Sequence, residues 1–233
     1  MKVSIKRKIN SKEFIEDFEI EQKDETILEL LDRIRDKKRD LTYRSFCRSS
    51  ICGTCAIKVN GKSVLACKTK VSDFDSDIFI EPISRVNVIK DLVVDHSYIE
   101  KSIKDNKAWF VDEIRDDKEN IQYPKEFEKF NLQTDCILCM ACYAECDALD
   151  YESNFSGPFA FTKVFRFVFD SRDKEDKQKR IEIAKENFLY SCVNCQKCAM
   201  VCPKGISSAM DIKMLQNSDK NPPFNDNFNV GFF

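Results

Sequence analysis

Histidine is almost absent: a single one, His96, occurs among 233 residues. That excludes any site needing two imidazoles, Rieske centres and Cys₂His₂ zinc fingers among them. Glycine is scarce too. The five glycines, at 53, 61, 157, 205 and 231, never fall into G-x-G-x-x-G or P-loop spacing, so the chain offers no nucleotide-binding loop of its own. No run approaches the ~20 consecutive apolar residues of a membrane-spanning helix. The segment Met1–Arg7 opens on a strand-like alternation, without the apolar core or cleavage site of a signal peptide. An excess of one charge is missing as well. With 38 basic and 40 acidic residues, the net charge of −2 exerts no long-range pull on nucleic acid or anionic lipid.

Against these shortages stand 12 cysteines. Without a secretion signal they are not expected to form a disulfide framework, because cytosolic thiols are kept reduced. Sulfur-only metal ligation is the natural alternative. The cysteines occupy two territories separated by a Cys-free, charge-rich connector at about 85–130. Two modules follow: residues 1–95 as a β-grasp, ferredoxin-like α+β domain, and residues 96–233 as an all-α, bacterial-ferredoxin-like domain.

The first module is expected to hold strands at Val3–Ile5 and Phe18–Ile20 around a turn at Asn10-Ser11. Thr26 and Glu29 form a capping-box signature ahead of a helix with Ile27, Leu30, Leu31 and Ile34 on one face. Asn60-Gly61 joins Ala56–Val59 to Lys62–Leu65 as a type I′ hairpin, and Ile78–Ile80 is a last strand. The connector reads as helical from Val88 to Trp109. A further helix is expected from about Asp170 to Leu189, and the tail after Asn217 as irregular.

Cys47-x4-Cys52-x2-Cys55, with Cys67 returning through the hairpin, is plant-type [2Fe–2S] spacing. Gly53 removes a side chain where the backbone is expected to approach a bridging sulfide. A zinc site would usually pair two short C-x-x-C knuckles, which this half lacks. Cys136-x2-Cys139-x2-Cys142-x3-Cys146 and Cys192-x2-Cys195-x2-Cys198-x3-Cys202-Pro203 are two bacterial ferredoxin runs. In such proteins the fourth Cys of each run ligates the other cluster. Crossed ligation assigns Cys136, Cys139, Cys142 and Cys202 to one [4Fe–4S] centre, and Cys192, Cys195, Cys198 and Cys146 to a second. Asp147 replaces the Pro that usually follows the first run. Three clusters in one chain suggest a wire for single electrons, with no substrate-converting site of its own.

The residues around these cysteines resemble the iron–sulfur subunits of succinate dehydrogenases and fumarate reductases. The segments that carry the resemblance are Arg44-Ser45-Phe46-Cys47-Arg48, Ile51–Ala56, Leu65–Thr69, Glu81-Pro82-Ile83, Val88–Asp95, Gly157-Pro158, Arg166, Asp170–Asp173 and Cys202–Ile206. The resemblance implies a partner subunit bearing FAD that interconverts succinate and fumarate. It also implies a membrane-side quinone subunit and a peripheral place on the cytoplasmic face of the membrane. Departures point to a variant branch. Cys195 stands where most members lack a Cys, so a [4Fe–4S] third cluster is expected instead of [3Fe–4S]. Asp147–Tyr151 replaces residues that help form the family's quinone site, so no quinone-binding residue is assigned. Val193 replaces a frequent His, and Ser50 a frequent Gly. The variant branch implies a cysteine-rich, heterodisulfide-reductase-like partner in place of a haem-bearing anchor. Alternatives are the same relay serving another flavin dehydrogenase or a thiol-coupled fumarate reductase, and, in a different class, a zinc-stabilised scaffold.

Three other features have plainer readings. His96 is expected on a solvated helix face, Arg33–Arg39 on the wet side of the capped helix, and Phe159, Phe161, Phe165, Phe167 and Phe169 in the core.

Overall fold

The computed structural model describes residues 1–112 and 119–220. They form two compact units that interleave along the chain. One comprises Met1–Glu100, Ile137–Cys146 and Lys197–Gly205, the other Lys101–Cys136, Asp147–Gln196 and the residues from Ile206 onward.

In the first unit, β1 (Lys2–Ile9) and β2 (Lys12–Glu19) pair antiparallel through Asn10 and Ser11, whose φ angles of 47° and 66° give the tight two-residue turn. Helix α1 (Ile27–Lys37) begins at the expected capping box. The Glu29 amide donates to Thr26 Oγ1 at 3.2 Å, and the Thr26 amide to Glu29 Oε2 at 2.7 Å. Its Ile27, Leu28, Leu30, Leu31 and Ile34 are buried. Strands β3 (Ala56–Val59) and β4 (Lys62–Leu65) meet at Asn60-Gly61, and β5 (Ile78–Glu81) runs parallel to β1 and antiparallel to β3. The sheet order is β2-β1-β5-β3-β4. Every expected element of this module is present.

The connector departs from expectation. Val88–Lys90 (β6) and Val93–Val94 (β7) are a small antiparallel ribbon, and helix α2 begins only at Ser97, running to Asp105. β-branched residues favour the extended state, and Asp91 between the strands is left-handed at φ 46°. Asp91 is held there by a residue that strand alternation turns inward. Arg7, 1% exposed, donates from Nε and Nη2 to the two Asp91 carboxylate oxygens, each at 3.1 Å, and from Nη1 to Glu16 at 2.6 Å. Asp91 also accepts from the Thr42 amide at 2.9 Å. His96 is likewise not on a solvated helix face. It precedes α2 and is half-buried, and burial with the nearby Arg44 lowers its pKa. The Arg33–Arg39 run is largely exposed, as expected, and Arg33 pairs with Glu25.

The second unit is helical among the described residues. Helix α3 (Pro158–Phe169) is its axis, packed by α4 (Lys177–Glu186) and α5 (Ser208–Lys220). Phe159, Phe161, Phe165 and Phe167 are buried and Phe169 is half-buried, which makes the aromatic stripe a core. Helix α4 starts seven residues later than expected. Asp170 and Asp173 are engaged by Arg172, Lys177 and Arg180 in a turn, and the Asp176 carboxylate accepts from the Lys179 amide as the cap. Helix α5 runs three residues past Asn217, to Lys220; the rest of the tail expected to be irregular, residues 221–233, lies outside the described residues.

Candidate metal centres

Residues 47–55 form a loop whose amides converge on sulfur. The amides of Ser49, Ile51 and Cys52 donate to Cys47 Sγ at 3.4, 3.4 and 3.3 Å, and the Ser50 amide to Cys67 Sγ at 3.3 Å. These donors pull the Cys47 thiol down to about 6. Cys47 lies beside Cys52, Cys52 interacts with Cys55, and Cys55 is within hydrogen-bond reach of the Cys67 thiol. Burial, with Cys67 alongside, pushes the Cys55 thiol up to about 12. The four expected thiols are therefore brought together by the loop and the strand that follows the β3–β4 hairpin. Backbone donors aimed at sulfur suit an anionic iron–sulfur group, whose charge such bonds stabilise. Among the described residues, no three Cys, His, Asp or Glu side chains close around a point that would hold a single metal ion.

The loop's turns require left-handed residues at Arg48 (φ 56°), Ser50 (φ 58°) and Gly53 (φ 73°). A left-handed conformation costs a non-glycine residue about 1–2 kcal/mol. Ser50→Gly should therefore raise stability by about 0.5–1 kcal/mol after glycine's larger unfolded-state entropy is subtracted. A urea titration that shows no gain would mean the strain is relieved elsewhere.

The two ferredoxin runs share one backbone signature. Left-handed residues stand two and four positions after each first cysteine: Leu138 and Met140 after Cys136, Asn194 and Gln196 after Cys192. The Asn194 amide donates to the Cys192 thiol, repeating the Ser49–Cys47 pattern of the first loop, while burial raises the Cys192 pKa. Cys195 is exposed. In the first unit, Cys139, Cys142 and Cys146 lie on or beside the helical turn Ala141–Ala144, which packs on the turn Lys197–Met200 that carries Cys198 and precedes Cys202. In the second unit, the Cys136 carbonyl accepts from Lys163 Nζ of α3 at 2.9 Å. Burial lowers the pKa of that ammonium. The exits of the runs differ: Asp147 leads into a helical turn at Ala148–Tyr151, whereas Cys202-Pro203-Lys204-Gly205 turns without one.

Two features had no sequence signal. At Gly53 it is a peptide of the second cysteine territory, outside the glycine's own loop, that leaves no room for a side chain. A Cβ there would lie 2.8 Å from the Ile137 carbonyl oxygen and 3.0 Å from Cys139 Cβ. Asp211 is a buried carboxylate held by Gln133 and Thr162, and burial raises its pKa to about 7.

Comparison with known proteins agrees with these loops. Residues 2–101 match the family model for a 2Fe-2S iron-sulfur cluster binding domain, and residues 133–206 that for a 4Fe-4S dicluster domain. The chain is 34% identical over 191 residues to the fumarate reductase iron-sulfur subunit of Escherichia coli O6:H1, covering 81% of this chain and 78% of the relative. It is 30% identical over 213 residues to the succinate dehydrogenase iron-sulfur subunit of Coxiella burnetii, covering 89% and 90%. It is 33% identical over 203 residues to one subunit of the CoM/CoB fumarate reductase of Methanothermobacter marburgensis, covering 85% of this chain and 39% of that one. An iron-sulfur protein of Methanocaldococcus jannaschii is likewise longer, and this chain spans 41% of its length. The fold matches a chain of the Mycobacterium smegmatis Sdh1 complex in the apo form, with TM-score 0.84 over 97% of both chains at 22% identity.

Proposed function

Because this chain belongs to the family of succinate dehydrogenase and fumarate reductase iron–sulfur subunits, we propose that it is the electron-relay subunit of such a complex. Its proposed partners are an FAD-bearing subunit that interconverts succinate and fumarate, and a membrane-side quinone or cysteine-rich subunit. The supporting observation is the arrangement of its sulfurs: one loop of converging amides at Cys47–Cys55 and two runs with the same left-handed signature. Cys47, Cys52, Cys55 and Cys67 would hold a [2Fe–2S] group. Cys136, Cys139, Cys142 and Cys202 would hold one [4Fe–4S] group, and Cys146, Cys192, Cys195 and Cys198 the other. Such groups take up and release single electrons without making or breaking substrate bonds. The chain's part is to hold the sulfurs as thiolates, donate amides to them, and tune them through burial and nearby charge.

Residues 1–95 and 96–233 are the proposed ferredoxin-like domains. No described helix is long and apolar enough to cross a membrane, and a peripheral position on the cytoplasmic face is proposed. Anaerobic purification of the native complex tests the reading through iron and sulfide content, partner identity, and succinate and fumarate turnover. Zinc in place of iron and sulfide would favour the scaffold alternative.

A thiol-coupled fumarate reductase is the second reading, favoured by Cys195 and by similarity to the longer methanogen protein. Turnover driven by thiols and not by quinols would select it.

The nature of the third centre turns on Cys195. Cys195→Ser should lower iron content, or replace one cubane EPR signal with that of a three-iron centre, and leave the [2Fe–2S] spectrum intact. Unchanged iron and unchanged low-temperature EPR would remove Cys195 from the ligand set.

A further inference from the structure

The segment 137–146 is fastened to the [2Fe–2S] module at several points, all within the first unit. Gly53 sits between two sulfur ligands, Cys52 and Cys55, and its backbone lies against the Ile137–Cys139 backbone so closely that no side chain fits. Four further contacts hold the far end of the same segment. Ser63 Oγ on β4 donates to Glu145 Oε1 at 2.6 Å, and Lys58 Nζ on β3 lies 3.6 Å from the same oxygen. The Ala144 carbonyl, at the end of its helical turn, accepts from Ser84 Oγ at 3.0 Å and from Arg85 Nε at 3.2 Å. A terminal helix carbonyl has no partner in its own helix, so these donors satisfy a group that would otherwise be open. The helical turn itself packs on β4.

We propose that Gly53 is a spacer and that Ser63, Ser84 and Arg85 are a clamp, together fixing the separation between the [2Fe–2S] ligand loop and the Cys139 ligand loop. These are positioning residues. They act through the loops that carry the sulfurs, and the proposal rests on the relay reading above. The physical argument is one of distance. Only a glycine permits backbone contact between two ligand loops at this point, and the clamp removes the freedom that would let them drift apart.

Two comparisons test it in the full-length, anaerobically prepared holoprotein. The first sets Gly53→Ala against Gly61→Ala. Gly61 has a similar φ of 77°, but a Cβ there meets nothing within 4 Å, so its replacement pays for conformation alone. Gly53→Ala should lower the unfolding midpoint clearly more than Gly61→Ala. Equal losses would overturn the spacer.

The second measures how strongly the neighbouring reduced centre speeds the spin relaxation of the reduced [2Fe–2S] EPR signal, an effect that falls steeply with separation. Ser84→Ala/Arg85→Ala replaces no sulfur ligand and removes only the two side-chain donors to the Ala144 carbonyl, so it should keep full iron and sulfide and unaltered g-values. Its relaxation enhancement should drop several-fold. Intact clusters with unchanged relaxation would overturn the clamp while leaving the relay reading in place. Wild-type protein lacking iron and both signals would overturn the relay reading, and this proposal with it.

Discussion

Replacing Cys67 by Ala should abolish the [2Fe–2S] EPR and visible signals and leave the cubane signals in place. Cys67 is the one sulfur of its set outside the 47–55 loop, brought to it by the β3–β4 hairpin and met there by the Ser50 amide. The other three thiols stay where the loop's own turns put them, but three thiolates leave one iron short of a ligand. Turnover of the native complex with succinate or fumarate should fall to background, because the proposed relay loses one of its three centres. The check is EPR of dithionite-reduced protein beside iron and sulfide analysis. Simultaneous loss of every signal would mean that the first unit does not hold its remaining loops once this site is empty. That outcome has a physical route, because Lys68, next to Cys67, donates from Nζ to the Pro203 carbonyl at 3.2 Å.

Replacing Asp211 by Asn should make the protein more stable at neutral and alkaline pH and flatten its pH dependence. Asp211 on α5 is 2% exposed, accepts from Gln133 Nε2 and Thr162 Oγ1 at 2.7 Å each, and pairs with no cation among the described residues. Burial raises its pKa from 3.8 to about 7, against the smaller opposing effect of those hydrogen bonds. The folded state thus binds the proton more tightly than the unfolded chain. Its contribution is fully present below the unfolded value, declines as pH rises, and is gone above about 7. At about 1.4 kcal/mol for each tenfold change in proton affinity, the loss is on the order of 4 kcal/mol. Asn is neutral at every pH and isosteric. Its oxygen can accept from Gln133 while its amide donates to Thr162, whose hydroxyl turns to Ser208 Oγ at 2.8 Å. Urea titrations across mildly acidic to mildly alkaline pH should show the two proteins converging toward acid and separating toward alkali. A wild-type curve without that slope, or a variant weaker at alkaline pH, would show that Asp211 is charged in the fold.

Local signals are legible in the sequence because each is complete within a few residues. Asn10-Ser11 and Asn60-Gly61 adopt the left-handed angles a tight hairpin needs, and Thr26 and Glu29 cap α1 as a pair. The connector is not legible in the same way: the β-branched residues of Val88–Val94 favour the extended state, but nothing local marks where the chain turns between the two strands. Its ribbon depends on Asp91, held by Arg7 from 84 residues away. Arg7 continues the inward alternation of Val3 and Ile5, but a charged residue in that series carries no mark of its distant partner.

The twelve cysteines, their spacings and the hairpin that returns Cys67 mark this chain as an iron–sulfur protein without reference to the rest of the sequence, because thiolate spacing on a short loop limits which metal group it can hold. Tertiary structure alone decided that segments 137–146 and 197–205 pack with the N-terminal module, that Gly53 faces the Ile137–Cys139 backbone, and that Asp211 is buried without a cation among the described residues. The reason is range. A turn or a ligand loop is specified by neighbours in sequence, whereas burial and the approach of two backbones are set by residues that only folding brings together.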